Sequence, residues 1–244
     1  MTAGPSSDPV PGGSVRCATI PPALALRAAG STAAVPGTDA RWPAALVGGS
    51  LDREGLTRLL AGEAAFVVEP DAGEPPDTGW TPVVVPHALI ALSLSTRLAW
   101  TAQPAAAVCG ALLHLGVLDE ASRGTVELCL HEAVANAIVH GNLGIASAAK
   151  NHPEGYETFG RLLSERLADP ERRQRRLDIV ARWDGGCLDI LVGDEGQGFD
   201  CTLLPLEADG NSRSGRGFVF MRALAEAVEV TDGGRCTRLR FPLA

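Results

Sequence analysis

The sequence predicts an α/β (α+β) two-layer sandwich, a mixed sheet with helices against one of its faces. Three observations carry this expectation. From residue 88 onward, strand-like and helix-like segments follow in the order strand, helix, helix, hairpin, helix, hairpin. Two strand pairs are joined by Asp184-Gly185-Gly186 and by Asp232-Gly233-Gly234, tight turns that glycine permits. Leu130, Val134, Ala137 and Ile138 form an apolar stripe at helical spacing, so this helix has one face to bury.

The elements can be justified in chain order. Residues 1–43 are rich in Pro, Gly, Ala and Ser without sustained periodicity and read as a mostly flexible segment. Residues 44–82 read as a small extension and linker. It holds a strand over Ala44–Val47, a helix-like stretch over Asp52–Leu60, Phe66-Val67-Val68, and then a Pro/Gly/Asp-rich run. From 88, Leu92, Leu94, Thr96 and Leu98 alternate with Ser93, Ser95, Arg97 and Ala99, the pattern of a half-buried strand. Pro104 opens a helix to about Leu115, closed by Gly116. Asp119 or Ser122 caps the next helix, expected from about Ser122 to His140 with a stop at Gly141-Asn142. The segment 143–176 is polar and arginine-rich with a helix over Tyr156–Leu167. Next come a hairpin (Leu177–Trp183 and Cys187–Gly193), a loop over 194–216, and a helix near Gly217–Ala227. The chain closes with Val228–Thr231 paired to Arg235–Phe241.

Composition narrows the function. The formal net charge is −8, which argues against a general nucleic-acid binder, because phosphate backbones demand a basic surface. No run reaches the ~18–20 apolar residues of a membrane span. The best candidate, Ala88–Ala99, is short and carries Arg97. No basic start followed by an apolar core marks a secretory signal, so a cytoplasmic location is expected. Cys17, Cys109, Cys129, Cys187, Cys201 and Cys236 lie far apart without ligand-like spacing and read as free thiols. Of the 21 basic residues all but Lys150 are arginine. Lys150 follows Ala-Ala rather than glycine, so no lysine is set for a P-loop or an ordinary protein-kinase fold.

Three motifs carry chemistry. The first is Glu132-Ala133-Val134-Ala135-Asn136, continuing to His140-Gly141-Asn142. Glu132 and Asn136 are four apart and share a face away from the apolar stripe, where they could supply a base and a hard oxygen ligand for Mg2+. An ordinary solvated face would give the same spacing. A zinc-protease pairing fails, since Ala135 stands four residues after His131. His140 reads as a packing or capping residue. The second motif is Asp194-Glu195-Gly196-Gln197-Gly198-Phe199. Asp194 shares strand parity with Leu188, Ile190 and Val192, and a carboxylate continuing an apolar face needs a donor such as the exocyclic amine of adenine. Gly196 and Gly198 let the backbone come close. The third is Arg213-Ser214-Gly215-Arg216-Gly217-Phe218 before an apolar helix. Its glycines expose amides that can cradle phosphate, and its arginines add charge.

The three motifs in this order resemble the GHKL ATPase superfamily, which includes gyrase and histidine kinases. Over about 88–244 the chain is similar to the RsbW-type anti-sigma-factor serine/threonine kinases. The likeness rests on Asn136-Ala137-x-x-His140-Gly141, the short lid, and Arg213-Ser214-Gly215-x-Gly217-Phe218. The resemblance implies a Bergerat-type ATP site with ATP and Mg2+ as cofactors. It implies Glu132 as general base, Asn136 as the Mg2+ ligand and Asp194 as the holder of adenine. Gly196 and Gly198 would shape the pocket, Gly215 and Gly217 would contact phosphates, and Arg213 would be the lid arginine. The implied partners are an anti-sigma-factor antagonist, which it would phosphorylate, and a sigma factor, with a homodimer also allowed. An ATP-gated sequestration module without catalysis stays open, as does a histidine-kinase fragment, although His87 and His114 are poorly set as phospho-acceptors.

The inserted segment 143–176 departs from that family. Its Arg161, Arg166, Arg172, Arg173, Arg175 and Arg176 face Glu165, Asp169 and Glu171, either as a dock for an acidic partner or as a solvated, salt-bridged helix. Residues 44–70 faintly resemble the last third of a receiver domain. Glu69 precedes Pro70 where that family has lysine.

Overall fold

The computed structural model describes residues 13–16, 44–47, 51–63, 66–69, 89–146, 155–200 and 216–243. Within them the chain is a mixed α/β fold. Its strands are β1 (Gly13–Arg16), β2 (Ala44–Val47), β3 (Phe66–Val68), β4 (Leu89–Ser95), β5 (Arg176–Trp183), β6 (Cys187–Asp194), β7 (Ala227–Thr231) and β8 (Cys236–Pro242). They form one sheet in the order β1-β2-β3-β4-β5-β6-β8-β7. From β4 to β7 every pairing is antiparallel, whereas β2–β3 and β3–β4 are parallel.

The register explains the core. Leu92 pairs with Ile179, Ile179 with Val192, and Val192 with Thr237. One step along, Ile90, Ala181, Ile190 and Leu239 line up in the same way. Because side chains alternate between faces, these rows give one continuous apolar face. It shares a single buried cluster with α3 (Pro104–His114), α4 (Glu120–Ala135) and α7 (Arg216–Leu224), through residues such as Val108, Leu112, Leu130, Ala133, Phe218 and Met221. On the opposite face, Asp189 is clamped by Arg238 and Arg240, each through two hydrogen bonds.

Residues 44–69 join the same sheet. Asp52 caps α1 (Arg53–Arg58) by accepting from the Gly55 amide at 2.8 Å, and a π-helical turn, Leu59–Glu63, continues it. Leu56, Leu59, Leu60 and Val67 belong to the common core. The strand, helix and strand expected over 44–68 are therefore present as β2, α1 and β3, continuing the larger sheet beyond β4. The flexible reading of 1–43 falls outside the described residues except at 13–16, which pair antiparallel with β2.

Two boundaries differ from the sequence expectation. The strand expected through Ala99 stops at Ser95, whose hydroxyl accepts the Leu98 amide at 3.2 Å and caps α2 (Thr96–Ala102). All seven residues of β4 are buried, so apolar alternation there carried no information about which face is wet. The helix expected to reach His140 is α-helical only to Ala135. A π-helix, Asn136–Asn142, completes it and brackets the end of the first motif. π-Helical turns are rare and concentrate at functional sites. In the segment 143–176, α5 (Gly155–Ala168) lays Phe159, Leu162, Leu163 and Leu167 on the core. The short α6 (Pro170–Gln174), capped by Asp169, leads into β5.

Candidate functional site

A cavity of about 510 Å3 opens where the π-helix, the end of β6, the start of α7 and the β7–β8 turn converge. Its size falls in the ~300–1,000 Å3 span of small-molecule sites. Asn136, Asp194, Gly198 and Gly217, drawn from the three separate motifs, all line it.

Motifs one and two meet through missing side chains. A Cβ on Gly141 would run into the Asp194 carboxylate, and a Cβ on Gly196 would land on the Gly141 backbone. Gly196 is thus buried behind the wall rather than in it. Asp194 itself is 6% exposed, and its Oδ1 accepts the Gly196 amide at 2.8 Å. This carboxylate closes the apolar row of β6 at the cavity floor, where the strand parity puts it. Gly198 holds φ at +72°, and the Phe199 amide donates to the Gly233 carbonyl at 3.0 Å. The β7–β8 turn thereby presses Gly234 into the wall.

Motifs one and three meet at the other end. A Cβ on Gly217 would stand 2.5 Å from a Glu132 carboxylate oxygen and 3.6 Å from the Asn136 amide nitrogen. Glu132 thus sits behind Gly217, against the start of α7, and is not among the wall residues. Asn136 Nδ2 is buried without a hydrogen-bond partner among the described residues. A buried amide left unpaired is costly, so the cavity exposes an unmet polar demand at this point. A half-turn of the carboxamide would present its oxygen there instead. Arg213 and Gly215 lie outside the described residues.

The anchor of the site is Asn142, which the sequence marks only as a helix stop. Its side chain is fully buried and makes three hydrogen bonds at 2.9 Å. Nδ2 donates to Thr96 Oγ1 and to the Arg176 carbonyl, while Oδ1 accepts the Glu195 amide. It therefore fastens the end of motif one to the residue after Asp194. His140 also faces the cavity, with Nδ1 donating to the Ile145 carbonyl at 2.5 Å, a capping role as the sequence suggests.

The arginine-rich segment 143–176 contributes more than expected. Arg172 donates to the Leu143 carbonyl and Arg175 to the Asn142 carbonyl, both at 2.9 Å, and both arginines line the cavity. Arg176 turns inward to Ser93. The only sequence signal for this was the arginine excess, which does not reveal direction.

Phe199 and Phe218 meet edge to face, with centroids 5.8 Å apart, at the rim between motifs two and three. Among the described residues, no helix is long and apolar enough to cross a membrane. In comparison with known proteins, no family model and no curated relative matches this chain.

Proposed function

We propose that the chain has a GHKL-type fold, binds ATP with Mg2+ in this cavity, and acts as an anti-sigma-type protein serine/threonine kinase of a bacterial partner-switching system. One observation carries the reading. Residues from three motifs far apart in the chain, Asn136, Asp194 with Gly198, and Gly217, line a single hollow of nucleotide size. A sheet with its helices against the apolar face is also the architecture this reading expects.

The residues fit the groups. Asp194, buried with its Oδ1 fixed by the Gly196 amide, suits the exocyclic amine of adenine at the cavity floor. Asn136, whose carboxamide oxygen a half-turn would aim into the cavity, would hold a hard cation there. Mg2+ bound with the triphosphate would neutralise charge as the γ-phosphoryl departs. Gly217 lines the cavity beside Asn136, where the amides that open α7 would reach phosphate oxygens. Glu132 would accept the proton of the attacking hydroxyl as the new O–P bond forms and ADP leaves. The phosphate added to the partner would then repel it from the interface.

Incubation with γ-labelled ATP and candidate antagonist proteins tests the reading. Transfer to a serine or threonine is expected. Glu132→Ala should retain nucleotide affinity and lose transfer, while Asp194→Ala should lose affinity. Intact ATP affinity in Asp194→Ala would overturn the adenine assignment. Because Glu132 sits behind Gly217 rather than in the wall, a second reading has specific support: ATP-gated sequestration without transfer. ATP binding with no label on any partner selects it.

A further inference from the structure

Resting on the ATP reading, we propose that the inserted segment supplies the outer wall of the base end of the site, with the flat guanidinium face of Arg172 against the purine. The cavity has two ends. Gly217 and Asn136 mark the phosphate end, and Asp194 with Gly141 marks the base end. Arg172 and Arg175 grip the carbonyls of Leu143 and Asn142, the residues that directly follow Gly141, so both guanidinium groups lie at the base end. Gly144, also in the wall, makes the approach possible. It holds φ at +63°, and a Cβ there would stand 2.8 Å from Arg172 Nη1.

The setting of these arginines selects a ring over a phosphate. Each guanidinium is held along its edge, by a carbonyl on one side and a carboxylate on the other. Asp169 Oδ2 is 3.3 Å from Arg172 Nε, and Glu171 Oε1 is 2.9 Å from Arg175 Nη2. A phosphate brought there would meet two carboxylates. A neutral purine would meet the free face of a plane already fixed, at little further entropic cost. Both arginines line the cavity, and their side chains are 24% and 21% exposed. The platform is firm, because Asp169 caps α6 and the Thr96 amide donates to the Arg175 carbonyl at 2.8 Å. Asp194 would read the edge of the base while Arg172 covers its face. In this way an insertion foreign to the family becomes part of the ligand site.

The experiment is calorimetric titration of the full chain, as wild type, Arg172→Ala and Arg172→Lys, with ATP, ADP and adenosine, and thermal melts as a folding control. Lysine keeps the charge and can still reach the Leu143 carbonyl, but it has no plane to stack. Both variants should bind ATP about tenfold more weakly, with the same fold-loss for ADP and adenosine. Three results would overturn the proposal: unchanged affinity in Arg172→Ala, wild-type affinity in Arg172→Lys, or a loss that grows with the number of phosphates. A wild-type chain that fails to bind ATP defeats the ATP reading itself and the stacking assignment with it. Wild-type binding with unaltered variants defeats the stacking assignment alone.

Discussion

Replacing Asn142 with alanine should cost about 3 kcal/mol of stability and weaken nucleotide binding, although the side chain is not in the cavity wall. The magnitude follows from its surroundings. The side chain is 0% exposed and makes three hydrogen bonds, to Thr96 Oγ1, the Arg176 carbonyl and the Glu195 amide. Each neutral bond is worth about 1 kcal/mol net, and interior groups left unpaired cost more. Against a total of roughly 5–15 kcal/mol for a domain, this is a large share. Urea denaturation should show the midpoint falling with an unchanged slope. Asn142→Asp separates shape from chemistry. It keeps an acceptor for the Glu195 amide but turns an oxygen toward the Arg176 carbonyl, so its carboxyl should titrate above the usual range. A raised folded-state value means the variant is least destabilised below about pH 4, where both states are protonated, and loses stability as pH rises. Thr96→Val removes one of the partners, and a double-mutant cycle with Asn142→Ala should return a coupling of about 1 kcal/mol. A loss under about 1 kcal/mol for Asn142→Ala, or additive effects with Thr96→Val, would refute the anchoring argument.

The remaining expectations are shorter. Gly217→Ala places a methyl 2.5 Å from the Glu132 carboxylate. Overpacking there should cost about 1–3 kcal/mol of stability, and urea denaturation showing no loss would contradict the close packing of Glu132 against the start of α7. Partial burial raises the Asp189 carboxyl, but hydrogen bonds from Arg240 and Arg238 outweigh it and hold the group below the usual carboxylate range. Its contribution is therefore present above about pH 4 and lost as pH falls below it. Asp189→Asn should remove about 1 kcal/mol near neutrality, discounted for solvent screening, and flatten that acid limb of a melting series. Burial, aided by the Glu127 carboxylate, pushes the Cys109 thiol up to about 12, and burial with Glu132 nearby pushes Cys129 up to about 11. Both should resist iodoacetamide at pH 8 until the chain is unfolded, as peptide mass spectrometry can read. Stability should decline as pH rises past about 8.5, where unfolded thiols ionise.

The site was legible where local pattern fixes direction. Strand parity alone aimed Asp194 inward, and helical spacing alone put Glu132 and Asn136 on one face. It was not legible where a distant partner decides. Ser95 could continue a strand or cap a helix, and what settles it is long-range. The Glu69 carboxylate takes the Ser95 amide at 2.8 Å, and the Arg175 carbonyl takes the Thr96 amide at 2.8 Å. The π-helix has the same origin. Asn142 is drawn inward by bonds to Thr96, Arg176 and Glu195, and the turn widens so that the Leu143 amide reaches back to the Ile138 carbonyl at 2.9 Å. The arginines of α6 show their local carboxylate partners in the sequence. Their reach to carbonyls 29 and 33 residues away does not appear there.

These long-range bonds close on themselves, which explains why the cavity and the β3–β4 pairing share one support. The Glu69 amide and the Arg176 guanidinium both donate to the Ser93 carbonyl. The Arg176 amide donates to the Glu195 carboxylate, and the Glu195 amide to Asn142. Asn142 donates to Thr96, whose neighbour Ser95 returns the circuit to Glu69. The Glu69 carboxylate is 10% exposed and also pairs with Arg97 at 3.3 Å, so this buried charge is compensated rather than stranded. A slip of one residue in β4 against β5 would break the circuit at Ser93 and at Thr96 together and turn each apolar row outward. The polar ring therefore fixes the register that the apolar rows alone favour. The residue it holds most tightly, Asn142, is the one that brings the π-helix to Asp194.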